Sequence, residues 1–478
     1  MWIAPASAAP APARPNIVFI LADDLGINDL GCYGRRDHHT PNLDRLGASG
    51  LRFTSAYCAQ PICSPSRAAI LTGRHPARLH LTTYLPGRPD CSAQKLLHPV
   101  IRQQLPLEER TLAEYLKAAG YATACIGKWH LGGAGFGPLE QGFDVYHPGE
   151  AVTKPSLTEG SKGEYDLTAR AEAFLEANRQ QPFFLYLAHN SPHIPYAAQT
   201  NRLDHNRGAF EPAYAAVVEA LDDTVGRLLG RLDALGLATN TVVIFTSDNG
   251  GLHVPEGPHR RVTHNTPFRA GKGFLYEGGL RIPLIVRWPG RAPAGRVVDT
   301  PVVNLDWLPT LLELAGVEAP RDLDGISLAP LLEGRDKLPV RPFFWHFPHY
   351  TNQGGQPGGA VRAGDWKLIE FYQDERVELF NLARDPGEST NLAAAEPGRV
   401  GDLRSRLAAW RLSLEAQTNL PNPHFDAAAH RALYVDLDVS RFSPATADAA
   451  EWAGMHAWRS RMDAATANKS VANPARSR

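Results

Sequence analysis

The stretch Cys63-Ser64-Pro65-Ser66-Arg67 joins a nucleophile, a helix-starting residue and a cation within five positions. Ser66 to Thr72 continue with the pattern of a first helical turn, which sets Cys63 at a helix N-terminus. Such a position favours anions and activated nucleophiles. The competing reading is a structural cysteine ahead of a capped helix. Four more polar clusters each follow a short apolar run. Asn16–Leu21 leads into Asp23-Asp24, and Ala122–Ile126 into Lys128-Trp129-His130. Phe183–Ala188 leads into His189 and His193, and Val242–Thr246 into Asp248-Asn249. Carboxylates, ammonium groups and imidazoles brought together would suit metal binding, anion binding and proton transfer.

Unbroken apolar runs of this length suit strands buried on both faces, as in a parallel sheet. In open α/β sheets ligands bind beyond the carboxyl ends of the strands. These clusters could therefore converge although they are spread over half the chain. The alternative is that polar residues follow strands simply because loops are polar. Helical patterns lie between the runs: one begins at Thr40-Pro41, others span Thr111–Ala119 and Asp166–Asn178. The longest spans Phe210–Leu235, with a break expected at Gly230. Alternation of the two patterns predicts an α/β fold with right-handed crossovers.

The pattern changes near residue 340. Pro342–Tyr350 leads into the Gly-rich stretch 354–359, read as a flexible loop. Short strand patterns follow at Ala360–Arg362, Trp366–Phe371 and Val377–Phe380, and a helical pattern near Val400–Ala416. The expected organisation is an arm over 1–14, a catalytic domain over 15–340, a smaller antiparallel-sheet subdomain over 341–444 and a poorly ordered Ala-rich tail over 445–478.

The chain has 478 residues, 49 Lys+Arg against 50 Asp+Glu, and is 43% hydrophobic. A balance this close to neutral argues against nucleic acid or a polybasic membrane contact as partner. No apolar run approaches the roughly 20 residues of a membrane span. Cys32, Cys58, Cys63, Cys91 and Cys125 are odd in number, so at least one lacks an intramolecular disulfide partner, and no C-x-x-C pair exists. The opening Ala-x-Ala texture reads either as the end of a secretory signal peptide or as a loose Ala/Pro arm. The first reading implies a periplasmic or secreted protein, the second leaves a cytoplasmic one open.

Taken together, these stretches resemble the formylglycine-dependent sulfatases of the alkaline-phosphatase superfamily, of the arylsulfatase and carbohydrate sulfatase type. The matching segments are residues 15–26, 63–74, Gly127–Gly132, Pro192–Pro195, Thr246–Gly250, Gly271–Gly273 and Glu277–Pro283. The resemblance implies a large, mostly parallel sheet flanked by helices. It implies oxidation of Cys63 to Cα-formylglycine by a maturation enzyme, with the aldehyde then hydrated. Asp23, Asp24, Asp248 and Asn249 match the metal ligands, modified residue 63 reaching the same ion. That ion is implied to be calcium, and hard oxygen donors agree, suiting Ca²⁺ or, less well, Mg²⁺, and disfavouring zinc. Arg67 and Lys128 match groups that hold the diol, with His130 beside it, while Lys272 and His193 match groups at the sulfate and its leaving oxygen. His189 and Arg269 lie near matched segments and receive no chemical role.

The function this implies is sulfuric ester hydrolysis. A phosphomonoester or phosphodiester hydrolase with the same modified cysteine is the nearest alternative. A non-catalytic binder of sulfated glycans, with Cys63 left as a thiol, is a second. The substrate preferred is a sulfated carbohydrate, because Trp345, His346, His349 and Tyr350 could bind a sugar ring at the site's mouth. The same side chains could equally pack between domains.

Overall fold

The computed structural model describes residues 14–149, 159, 161–335 and 338–467. The expected arm over 1–14 lies, up to residue 13, outside the described residues, as do residues 468–478 of the expected tail.

Fifteen strands follow one another: β1 (Asn16–Asp23), β2 (Leu51–Tyr57), β3 (Leu96–Leu97), β4 (Ala122–Gly127), β5 (Val145–His147), β6 (Phe183–Pro192), β7 (Thr241–Ser247), β8 (Arg281–Arg287), β9 (Arg296–Val298), β10 (Val302–Val303), β11 (Phe343–Phe347), β12 (Gly358–Ala363), β13 (Trp366–Phe371), β14 (Val377–Asn381) and β15 (Leu420–Pro421). Nine of them form one sheet in the order β10-β2-β8-β7-β1-β6-β4-β5, with β9 also paired to β2. Pairing is parallel throughout except where β8 lies antiparallel to β2 and β7. The mostly parallel α/β expectation is met.

The apolar runs alternate between two cores. Ile17, Phe19 and Leu21 of β1 join one buried cluster, and Val18, Ile20 and Ala22 join the other, on the opposite face. Burial on both faces is why these strands read as continuous hydrophobic runs. The helices start where their capping residues ask. Thr111 and Glu114 close a capping box on Leu112–Ala118, and Pro41 opens Pro41–Ser49. The helix Pro212–Ala234 runs straight through Gly230, contrary to the expected break. A Cβ at that position would meet nothing within 4 Å, so the glycine costs helix propensity without disturbing any contact.

After residue 342 the chain forms a four-stranded antiparallel sheet, β11-β12-β13-β14, covered by the helix Pro397–Ser413. Two expectations fail here. The Gly-rich stretch is no flexible loop, because Gly358 and Gly359 begin β12 and a Cβ on Gly355 would sit 2.0 Å from the Gly273 carbonyl oxygen. Glycine is what lets this segment lie directly on the large lobe. The tail is not disordered over its described part either. Ala449–Ala467 is a helix whose Met455, Trp458 and Met462 are fully buried, with Trp458 Nε1 donating to Leu433 O at 2.9 Å. Its apolar residues recur three and four apart, a stripe that the surrounding alanines conceal.

Candidate active site

Strands β7, β1, β6 and β4 are adjacent in the sheet and mutually parallel, so their carboxyl ends emerge at one edge. Asp23-Asp24, Asp248-Asn249, Lys128 and His193 leave from these four ends. The exit of β4 depends on Gly127, which has φ +102° and packs so closely that a Cβ would lie 1.9 Å from Ala188 O. No other residue could turn Lys128 toward the edge at that spot. Cys63 arrives from the side as the first residue of the helix Cys63–Thr72, every residue of which is buried. Gly73 ends that helix in the left-handed conformation, at φ +63°.

The side chains meet in a compact array. Cys63 Sγ lies 3.5 Å from Asp23 Oδ1 and 4.0 Å from Asp24 Oδ1. Lys128 Nζ pairs with Asp23 Oδ2 at 2.6 Å, and Lys272 Nζ with Asp24 Oδ2 at 2.7 Å. Arg67 donates through Nε to Asp248 Oδ2 at 2.9 Å, with its Nη2 2.8 Å from the same oxygen, and through Nη1 to Lys128 O at 3.0 Å. Asp248 Oδ1 accepts from the Asp24 amide at 3.2 Å. His193 Nε2 stands 3.6 Å from Asp24 Oδ2, while its Nδ1 is 2.6 Å from Ile194 O. His130, at φ +58°, places Nε2 2.9 Å from Leu85 O. A carbonyl can only accept, so His130 carries its proton on Nε2 and keeps a bare Nδ1, buried and without a partner among the described residues.

Three carboxylates face three permanent cations, and that balance sets the protonation states. Burial alone would raise Asp23, but Lys128, His193, Arg67 and Lys272 outweigh it and hold the carboxyl well below the usual range. Asp24 is lowered in the same way, chiefly by Lys272 against burial. Asp248 is raised to about 6 by burial, which Arg67 only partly offsets. Burial pushes the Cys63 thiol up, so the unmodified side chain is a neutral thiol here and a poor nucleophile. Burial, then Lys128, lowers His130 to about 3, and burial, then Lys272, lowers His193 to about 4.

The donor atoms of Asp23, Asp24, Cys63 and His193 lie within 4.8 Å of one another, close enough to share a cation. Asn249 Nδ2 donates to Asp24 Oδ1 at 2.8 Å, leaving Asn249 Oδ1 buried without a partner among the described residues. An amide oxygen beside these carboxylates makes a set of hard donors that fits a cation such as Ca²⁺. All ten residues proposed for the site from sequence are thus brought together. His189 and Arg269 are not among them. His189 is buried against Glu164 at 3.8 Å, and Arg269 clamps Glu378, Asp438 and Ser440 where the two sheets meet.

Some supporting residues were given no role from the sequence, although Ser64 and Ser66 lie inside the Cys63–Arg67 motif. Ser66 donates to Asp248 O and accepts from Asn304 Nδ2, bracing the Asp248-Asn249 loop. Ser64 accepts from the Leu85 amide at 3.1 Å, which holds the carbonyl facing His130. Lys162, in a polar stretch without motif character, donates to Ile194 O at 2.6 Å, the same carbonyl that faces His193. The aromatic stretch 345–350 went the other way. Trp345, His346, His349 and Tyr350 are buried, with Trp345 Nε1 on Cys58 O at 2.8 Å and His349 Nε2 2.8 Å from Thr82 Oγ1. The packing reading of those residues holds, and they offer no ring to a sugar.

The sulfatase family model matches residues 15–317, well over half of the chain. The chain belongs to the sulfatase family. A model described as N-sulphoglucosamine sulphohydrolase, C-terminal, matches residues 269–410. The sulfatase is 37% identical to the N-acetylgalactosamine-6-sulfatase of Sus scrofa over 82% of this chain and 84% of that protein. It is also 37% identical to the arylsulfatase A of Homo sapiens, over 85% and 89%. Among solved structures it resembles Ps i-CgsB, with a TM-score of 0.73 and 30% identity, covering 83% of this chain and 93% of that one; the same protein has been solved in complex with k-i-k-neocarrahexaose. As a sulfatase of alkaline-phosphatase-like fold, it is a sulfuric ester hydrolase. No helix among the described residues of this sulfatase is long and apolar enough to cross a membrane.

Proposed function

We propose that this sulfatase desulfates a sulfated carbohydrate, using a formylglycine made from Cys63 by a maturation enzyme and a calcium ion held by Asp23, Asp24, Asp248, Asn249 and residue 63. The observation that carries the reading is the convergence of Cys63, three carboxylates, three cations and two histidines at one sheet edge. Calcium, when bound, supplies charge that neutralises the oxygens of the transferring group, and hydrated formylglycine supplies two hydroxyls on one carbon.

The remaining chemistry belongs to the chain. Lys128 and Arg67 orient residue 63, each already tied to a carboxylate that fixes its head. Lys272 holds a sulfate oxygen, and its ammonium also offsets charge growing on the leaving oxygen. With Nδ1 on Ile194 O, neutral His193 holds its ring proton on Nδ1 and leaves Nε2 bare, so it takes up a second proton on Nε2 as the ester binds and passes that proton to the departing alcohol. Burial keeps it neutral at rest, and an anionic ester alongside raises its proton affinity. His130 would accept on its bare Nδ1 a proton from a hydroxyl of hydrated residue 63. The carbohydrate preference draws on the likeness to the N-acetylgalactosamine-6-sulfatase and to Ps i-CgsB with its bound neocarrahexaose. A position outside the cytoplasm, periplasmic or secreted, goes with this reading.

Intact mass tests the first step: conversion of Cys63 lowers it by about 18 Da through loss of H₂S and gain of O. Calcium-dependent release of sulfate by the converted protein, exceeding phosphate release from the matching phosphate ester, supports the whole reading. A protein that carries the conversion and releases phosphate faster overturns it.

A further inference from the structure

One acidic side chain beside the site belongs to neither the metal ligands nor the ion pairs already described. Glu256 is half-buried in the turn Glu256–His259 and lies close enough to Lys272 to raise that ammonium's proton affinity, after Asp24 and Cys63 and against the effect of burial. Among the described residues one hydrogen bond holds its carboxylate, from Gln353 Nε2 to Oε2 at 2.5 Å. Gln353 is only 4% exposed, and its Oε1 would be 2.9 Å from a Cβ on Gly273, the residue after Lys272. A buried amide anchored on the lysine loop therefore aims Glu256. On the other side, Gly257 sits against the Ile194 side chain, a Cβ there lying 3.6 Å from Cδ1, directly after His193. Glu256 thus lies on the Lys272 side of the site, in a turn that also packs beside Ile194, the residue after His193. Tyr84, half-buried, shares its field.

An anion in this place works against the enzyme unless it has a donor to meet. It repels the incoming sulfate and competes for Lys272. A carboxylate accepting from a substrate hydroxyl reverses that sign, because the charge-assisted bond forms only with an alcohol that carries a neighbouring hydroxyl. We propose that Glu256, aimed by Gln353, reads a hydroxyl adjacent to the sulfated carbon, which makes a polyol ring the preferred leaving group over a flat aryl or steroid one. This rests on the sulfatase reading above and narrows it. It also supplies the sugar contact that the buried stretch 345–350 cannot.

The test uses the converted, calcium-loaded full chain, with 4-nitrophenyl sulfate against a panel of galactose, N-acetylgalactosamine and N-acetylglucosamine monosulfates, and the deoxy analogue of the best sugar lacking the adjacent hydroxyl. Glu256→Ala should lower the ratio of sugar to aryl kcat/KM by roughly 10- to 100-fold. Glu256→Gln, which keeps the shape and an acceptor for Gln353, should recover part of the ratio. The deoxy sugar should show little further loss in Glu256→Ala. Equal falls on both substrates, or an unchanged ratio, overturn the proposal and leave the sulfatase reading standing. Wild type active on the aryl ester and on no sugar overturns it together with the carbohydrate preference. Wild type inert on every ester overturns the sulfatase mechanism it rests on.

Discussion

Two of the buried clusters of opposite charge differ in what they leave unpaired. One is the array around Cys63. The other lies where the two sheets meet. There Lys367 Nζ sits 2.9 Å from Glu277 Oε1 and 2.9 Å from Glu388 Oε1, all three side chains fully buried. Glu277 Oε2 accepts from Tyr57 at 2.6 Å and pairs with Arg281 at 3.0 Å, and Glu388 Oε2 accepts from the Glu277 amide at 2.6 Å. Each carboxylate oxygen of this seam has an ion-pair or hydrogen-bond partner. The array around Cys63 instead leaves Asn249 Oδ1 and His130 Nδ1 buried and unmet among the described residues. Burial and charge are common to both. Saturation separates them: a closed network holds lobes together, while an unsatisfied one waits for a ligand. Glu277 lies inside one of the stretches that carry the family resemblance, so matching a motif does not by itself distinguish chemistry from architecture.

Four measurements would break or sharpen this contrast. The largest effect is expected from Cys63→Ala, which should lower sulfatase kcat/KM on the order of 10⁴-fold or more while the melting temperature moves little. A comparable loss of stability would move Cys63 into the architectural class. Chelation of calcium should come next. Activity falls by an amount matching several kcal/mol of lost transition-state stabilisation. The protein still melts within about 10 °C of its calcium-loaded form, because Arg67, Lys128 and Lys272 continue to balance the carboxylates. Calcium should restore activity better than magnesium.

Lys367→Met should do the reverse. It strands two buried glutamates and costs about 3–5 kcal/mol in denaturant unfolding, with turnover per folded molecule retained. Lost turnover in protein still shown to be folded would tie the seam to catalysis. The smallest effect concerns pH. Burial and the neighbouring Glu277 raise Glu388 to about 7 from an ordinary 4.5, so the folded state binds the proton more tightly. Its contribution to stability is full below about 4.5 and is lost as pH rises through about 7. Glu277 runs oppositely: against burial, Lys367, Arg281 and Arg362 hold it to about 2, so its contribution is lost as pH falls toward that value. Glu388→Gln should flatten a decline of about 1–3 kcal/mol in unfolding free energy between those upper limits, read by denaturant titration at each pH.

Much of this was legible along the chain. Apolar runs buried on two faces announced β1, β4, β6 and β7, and the polar residues after them marked the edge where a site would form. Caps at Thr111 and Pro41 placed helix starts to within a residue or two. These features are local, so spacing and residue type are enough to read them. Composition misled at the C-terminus, where alanines hid the stripe of Met455, Trp458 and Met462.

Type and spacing determined which residues could bind a hard cation, pass a proton or become an electrophile, because those capacities reside in single side chains. Tertiary structure decided which of them act together. Adjacency of four parallel strands makes one site of Asp23, Lys128, His193 and Asp248, whereas the antiparallel sheet draws Glu277 and Lys367 into a seal and buries Trp345 through Tyr350. The pair of Glu256 and Gln353 was beyond any local reading, since its sense comes only from lying beside Lys272. Contacts between residues far apart in the chain are set by strand order and lobe packing, and no window of sequence contains them.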